Sequence, residues 1–370
     1  MDEVLVVVGP GVVADAALVG EVAEREFAAL GVAGSVVHAR DAARVASLLR
    51  PGAVVLPGPA GEVRELIGRP LGPVVWVDVE RADGVEPGEE ATHLHGRGVA
   101  GLTWGIRHAV HRLRHPARRR IPYGPHRDQW GDLYLPPDPA TPDPAPSNPV
   151  PSHPGGALPP VVALIHGGYW RSIWAADLME ALCADLTGRG LAVWNLEYRR
   201  PDLHGWDATA EDVAAGLAAL AGCGAPLDLG RLALAGHSAG AQLALRAAAD
   251  GTPAALVLSL AGVLDLVEGD RRWASAGAVA AALGGPHAAR PGRYAAASPL
   301  LRLPLGVPQL VVQGSADDLD LVDFGRRYAG AALRAGDEVT YLEMPGDHFD
   351  VITPGTPIWR AAAETLTSLL

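Results

Sequence analysis

The chain has 370 residues, 49% of them hydrophobic, and a formal net charge of −12, which suits two domains of about 100 and 250 residues, each with its own core, and argues against nucleic acid or an anionic membrane as partner. All 30 basic residues are arginine, so a lysine Schiff base, a P-loop lysine and Ser-Lys hydrolysis are excluded for want of an ε-amine. Cys183 and Cys223 show no metal-ligand spacing, no apolar run is long enough to span a bilayer, and the acidic start Met1-Asp2-Glu3 is unlike a signal peptide; a cytoplasmic protein without disulfide framework, metal or cofactor is expected.

In chain order, the spacing predicts a buried strand over 4–9, a helix to about Leu30, a strand over 35–38, a helix over 41–49 and a strand over 53–56. A short helix over 62–67, a strand over 74–79, a loop to 98–101 and a helix over 103–113 complete the first third. Short apolar runs alternating with amphipathic helices imply a parallel sheet covered on both faces. The segments GPVVWVDVE and GVAGLTWGIRHAVHRL, with this order of elements, resemble type II 3-dehydroquinate dehydratase over residues 1 to about 115. That resemblance implies a flavodoxin-like domain, and assembly into a homo-oligomer through it. The family's site residues do not carry over. Gly9-Pro10-Gly11 leads into a segment without the family's tyrosine and arginine, Leu56-Pro57-Gly58-Pro59-Ala60 replaces its N-P-G-A-Y, and Asp78 stands where its histidine belongs. Without a base to remove a proton beside a carbonyl, no dehydratase activity is expected.

Prolines at 116 and 122 flank an arginine run, which reads as a solvated linker over 116–122. A second domain is expected over 123–370, with an early strand at 132–135 and a proline-rich exposed loop over 136–160. The buried strand 161–165 delivers His166-Gly167-Gly168-Tyr169-Trp170, where glycines let backbone amides approach a substrate oxygen. A helix over 175–187, a strand over 192–198 and a helix over 208–220 follow, and Glu197, Tyr198 and Arg199 are read as structural.

The next strand becomes a helix through Gly236-His237-Ser238-Ala239-Gly240, the G-x-S-x-G pattern of a nucleophile elbow. Alone this pattern is weak in a chain with 45 glycines. Its partners decide. After a strand at 255–260 and an excursion over 265–299 that is expected to lie over the site, the strand 309–312 ends in Gly314-Ser315-Ala316-Asp317. The strand 339–342 leads to Gly346-Asp347-His348-Phe349. The order Ser238, Asp317, His348 is the one α/β-hydrolases use, with Asp318 and Asp320 as rival carboxylates. Oxyanion donors are expected in the amides of Gly168, Tyr169 and Ala239, and substrate contacts from His166, Gly167 and Trp170.

His166-Gly167-Gly168-Tyr169-Trp170 matches the H-G-G-x-W signature of kynurenine formamidase, and Asp132-Leu133-Tyr134-Leu135-Pro136, Glu197-Tyr198-Arg199 and Gly346-Asp347-His348-Phe349 extend the likeness. From Tyr123 onward the chain thus resembles α/β-hydrolases of the arylformamidase and esterase group. The resemblance implies hydrolysis of a small acyl substrate, N-formylkynurenine or a similar N-formyl arylamine, to formate and the free amine. A small-molecule carboxylesterase is the alternative within the class. A non-catalytic interaction protein that keeps the hydrolase fold is the alternative outside it.

Overall fold

A computed structural model of the chain describes residues 3–115, 118–137 and 158–370. Two compact units divide it, Met1–Pro116 and Ala117–Leu370. Most of the proline-rich stretch expected as a loop lies outside the described residues.

Unit 1 is a parallel sheet of β1 (Glu3–Val8), β2 (Ala33–His38), β3 (Ala53–Leu56), β4 (Val75–Asp78) and β5 (Thr92–His95), in the order β2-β1-β3-β4-β5. Side chains along a strand alternate between faces. Val4, Val6 and Val8 therefore join one apolar layer, with Val19, Phe27, Ile106 and Val110, while Leu5 and Val7 join another, with Val45, Val63 and Ile67. That double burial is why β1 is an unbroken apolar run. Helix Ala16–Leu30 begins where the Asp15 carboxylate accepts the Leu18 N–H at 2.9 Å, and stops at Gly31, whose φ of 63° suits glycine.

β5 corrects the sequence reading, which placed a loop there. Its Thr-His-Leu-His has only Leu94 fully buried, too little apolar signal for a strand, and the backbone pairing with β4 supplies the rest. His93 also ties β5 to β4, its Nε2 lying 2.8 Å from Asp78 Oδ2. Arg64 grips the same carboxylate with two bonds of 2.8 and 2.9 Å. Burial works against the Asp78 charge, but the hydrogen bonds from His93 and Arg64 outweigh it and bring the pKa down to about 2.

A carboxylate with a depressed folded pKa stabilises fully above its unfolded value, about 3.9, and that contribution is lost as pH falls through the folded value. Asp78→Asn is therefore expected to weaken unit 1 at pH 7 by about 2 kcal/mol or less, after screening by solvent. The difference from wild type should vanish as pH falls from about 4 toward 2. Native-state hydrogen exchange of the β1 and β3 amides reads it; a deficit that persists unchanged at low pH would show that the ion pairs are not its source.

Unit 2 holds an eight-stranded sheet in the order β13-β12-β11-β10-β8-β9-β7-β6. The strands are β6 (Arg119–Pro122), β7 (Trp130–Tyr134), β8 (Pro160–Ile165), β9 (Ala192–Leu196), β10 (Asp228–His237), β11 (Leu256–Leu260), β12 (Gln309–Gly314) and β13 (Val339–Met344). From β9 through β13 the pairs are parallel, whereas β6 and β7 run antiparallel at one edge. One apolar cluster of its core includes Ile165, Trp194, Leu234, Leu243, Val257, Val311 and Phe324, and Val162, Leu164, Val193, Leu258, Val312 and Trp359 are buried as well.

β6 overturns the reading of 116–122 as a linker, since residues Arg119–Pro122 pair with β7. The arginines do not face water alone. Arg120 and Arg118 both bond Asp132, which is 2% exposed, and Arg119 donates to the Cys223 carbonyl. Pro122 is tolerated because it ends an edge strand, where a missing N–H breaks no inner ladder. No helix among the described residues is long and apolar enough to cross a membrane.

Candidate active site

Parallel strands bring their C-terminal ends to one edge of a sheet, where α/β proteins place their sites. In unit 2 the loops after β8, β10, β12 and β13 meet there. Ser238 follows β10 directly and caps helix Ala239–Ala249, with φ 55° and ψ −117°. Such a backbone costs a non-glycine residue about 1–3 kcal/mol. Close packing holds it. The Ser238 N–H donates to Leu260 O on β11 at 2.8 Å, and the Ser238 carbonyl accepts from Ala241 and Val263. The flanking glycines are required by space: a Cβ on Gly236 would lie 2.2 Å from Gly240 O, and one on Gly240 would lie 2.0 Å from Ile165 O.

The other two residues of the expected triad come together. His348 Nδ1 lies 2.9 Å from Asp317 Oδ2. Asp317 also accepts from Gln313 Nε2 at 2.9 Å and from the Asp318 N–H at 2.7 Å, so all three of its described partners donate. The loops bearing the pair are laced together by Ser315 N–H to Met344 O and Ala316 N–H to Gly346 O. Asp318 is occupied in capping helix Leu319–Ala335, and Asp320 pairs with Arg272. Ser238 Oγ is buried and makes no hydrogen bond in this structure. The hydroxyl therefore stands with its bonding capacity unspent.

His237, within the elbow motif, was not singled out by the sequence. Its Nε2 lies 2.9 Å from the carbonyl oxygen of His348, and the two rings stand 4.6 Å apart. Burial first, and the neighbouring His348 second, push its pKa well below the ordinary histidine value. The ring is thus neutral, with its proton on Nε2, the nitrogen that faces an acceptor. It ties the Ser238 turn to the loop that carries His348. His237→Phe keeps an aromatic ring, larger than the imidazole, and removes the donor. It is expected to lower kcat about 10- to 100-fold with KM little changed, measured on p-nitrophenyl acetate; an unaltered kcat would leave the bond without a role.

After β8 the backbone runs through three successive positive φ values, 109° at Gly168, 49° at Tyr169 and 56° at Trp170. Gly167 packs on the elbow, where a Cβ would come within 2.9 Å of the Ser238 Cβ. No described backbone bond takes the N–H of Gly168, Tyr169 or Ala239. Two expected substrate contacts are corrected. His166 is 0% exposed, with Nε2 at 3.1 Å from Glu197 Oε1, Nδ1 at 2.8 Å from Gly167 O and its ring stacked on Tyr198. Trp170 is 2% exposed and donates from Nε1 to Gln242 at 3.0 Å. Both side chains hold the loop from inside, with their polar atoms engaged by protein partners. Glu197 binds this scaffold together, accepting from the N–H of Ala176 and Tyr198 and pairing with Arg200.

Tyr169 and Trp174 are the partly exposed aromatics of this loop, and Trp174 stands 6.5 Å from Phe349, ring to ring. The excursion expected over the site forms helices Leu266–Arg271, Ala274–Leu283, which is kinked at its start by the left-handed backbone of Ser275, Ala276 and Gly277, and Pro291–Ala297. It reaches the loop after β8, where Arg171 donates to Ser275 O at 3.0 Å.

A family model described as the alpha/beta hydrolase fold matches residues 162–352, just over half the chain. The chain belongs to that family and is a hydrolase. Among solved structures it is similar to a truncated carbohydrate esterase from gut microbiota, with 17% identity over 68% of this chain and 94% of that one, at a TM-score of 0.56. A bacterial heroin esterase matches at 23% identity over 68% and 83% of the two chains, with a TM-score of 0.52. Esterase B from Lactobacillus rhamnosis matches at 19% identity over 72% and 91%, with a TM-score of 0.55. At these identities the shared property is the esterase-like fold. No curated protein matches the sequence.

Proposed function

We propose that unit 2 hydrolyses a small acyl group, with Ser238 as nucleophile, His348 as general base and acid, and Asp317 holding the imidazole. The observation that carries this is the His348 Nδ1 to Asp317 Oδ2 contact of 2.9 Å at the strand ends that also hold the Ser238 elbow. Ser238 Oγ attacks the acyl carbon while His348 Nε2 takes its proton, and the amides of Ala239, Gly168 and Tyr169 receive the oxyanion. His348 then protonates the leaving group. Water, deprotonated by His348, releases the acid from the acyl-serine. This chemistry calls on neither metal nor cofactor.

The acyl donor we favour is an N-formyl arylamine such as N-formylkynurenine. Support comes from the H-G-G-x-W segment and from the tight setting of Ser238, which is 1% exposed beside Gly167. Formyl is the smallest acyl group and fits such a setting best. Tyr169, Trp174 and Phe349 are the aromatic surfaces for the leaving group. The second reading, a carboxylesterase, is favoured by the esterase folds this chain resembles. A panel of N-formyl arylamines against p-nitrophenyl acetate and butyrate tests the pair. Formate release from N-formylkynurenine is expected to give the highest kcat/KM; ester cleavage with formamides untouched would install the carboxylesterase. For unit 1 we propose a dehydratase-like fold without that chemistry, which serves to assemble copies of the chain. The Asp78 carboxylate, engaged by both Arg64 and His93, supports the loss.

A further inference from the structure

Among the described residues, the hydrolytic reading leaves one cluster of ligating side chains unused. His126 and Asp128 lie in the turn between β6 and β7, and His204 ends helix Pro201–His204. One donor atom from each lies within 4.8 Å of the others. The two imidazoles meet edge to face with centroids 4.7 Å apart, and Asp128 Oδ2 is 4.0 Å from His126 Nδ1. We propose that His126, Asp128 and His204 bind one divalent transition-metal cation, with zinc as the type ligand.

The donor set selects the metal. Two imidazoles and one carboxylate suit zinc, cobalt, nickel or copper, whereas magnesium and calcium prefer all-oxygen shells. With zinc–nitrogen bonds of about 2.0–2.1 Å, tetrahedral donors stand about 3.3 Å apart. The cluster closes to that spacing by side-chain rotation of an ångström or so. His126 and Asp128 are half-buried and His204 is exposed, so the ion has a path in and a side open to a water ligand.

The turn is held in shape without the ion. Gln129 Oε1 accepts the His126 N–H at 2.9 Å, and Gln129 Nε2 donates to Asp212 at 2.6 Å. Two existing contacts must yield: the Asp128 N–H at 3.2 Å from His126 Nδ1, and Arg200 Nη2 at 3.2 Å from Asp128 Oδ2. Arg200 keeps its bonds to Glu197 and the Tyr198 carbonyl, so it is not stranded. The sequence concealed this site because its donors come from segments about 80 positions apart in no motif.

The bound ion would fasten the β6–β7 turn to a short helix whose Asp202 accepts the Ser172 N–H in the loop after β8. The test is equilibrium dialysis of the tag-free, chelator-treated full chain against micromolar zinc chloride, with metal counted by mass spectrometry. One zinc per chain is expected, with a melting temperature raised by about 5 °C at saturation. His204→Ala and His126→Ala should each weaken binding at least about 30-fold, while His38→Ala, an exposed histidine in unit 1, changes nothing. His204 is exposed, so its loss does not endanger folding. Sub-stoichiometric zinc, or binding that survives both substitutions, overturns the proposal.

Discussion

Ser238→Ala is expected to abolish hydrolysis of both N-formylkynurenine and p-nitrophenyl acetate, lowering kcat by about 10⁴-fold or more. The protein should still fold. Ser238 Oγ makes no hydrogen bond, so its removal strands no partner, and a Cβ at this position is already accommodated. KM should change little, because the amides that receive the carbonyl oxygen belong to the backbone and remain. A fluorophosphonate probe should label wild type at Ser238 and leave the variant unlabelled. Labelling that persists in Ser238→Ala, or a kcat within tenfold of wild type, would place the nucleophile elsewhere. A wild type inert to probe and substrates alike would remove the hydrolytic assignment of this site.

Asp317→Asn is expected to lower kcat by about 10⁴-fold. The reason is the donor count around the carboxylate. His348 Nδ1, Gln313 Nε2 and the Asp318 N–H all donate to it. An asparagine offers one oxygen and one NH₂. If the NH₂ faces His348, the imidazole must accept at Nδ1 and carry its proton on Nε2, the nitrogen that has to take the proton from Ser238. If it turns the other way, it meets the Asp318 N–H, donor against donor, and the imidazolium loses its countercharge. Steady-state kinetics with p-nitrophenyl acetate decides. A loss below tenfold would mean that another carboxylate orients His348, and Asp318→Asn would then be the variant to examine.

The elbow and its partners were legible because each lies at a strand end marked by glycine. Gly236, Gly240 and Gly314 are required by backbone packing, and a required glycine leaves a mark in sequence. Side-chain direction leaves none. His166 and Trp170 sit in a loop signature that reads like a binding surface, yet one turns to Glu197 and the other to Gln242, from partners 31 and 72 positions away. His237 was hidden for a related reason, since its acceptor belongs to a residue 111 positions on. Among strands, β1 and β8 announce themselves through uninterrupted apolar runs. β5 and β6 do not, because an edge strand needs its backbone paired on one side only and can be written in histidine or arginine.

β6 has a practical consequence for anyone dissecting the protein. A truncated hydrolase started at Tyr123, where the sequence alone suggests a boundary, would lack Arg118 to Pro122. Asp132 would then sit in the interior deprived of both guanidinium groups that now neutralise it. The flank of β7 would be bared as a row of unanswered amides and carbonyls, an invitation to strand-by-strand accretion of neighbouring molecules. The arginine run thus acts as the selvedge of the sheet, and the cut that preserves solubility falls before it.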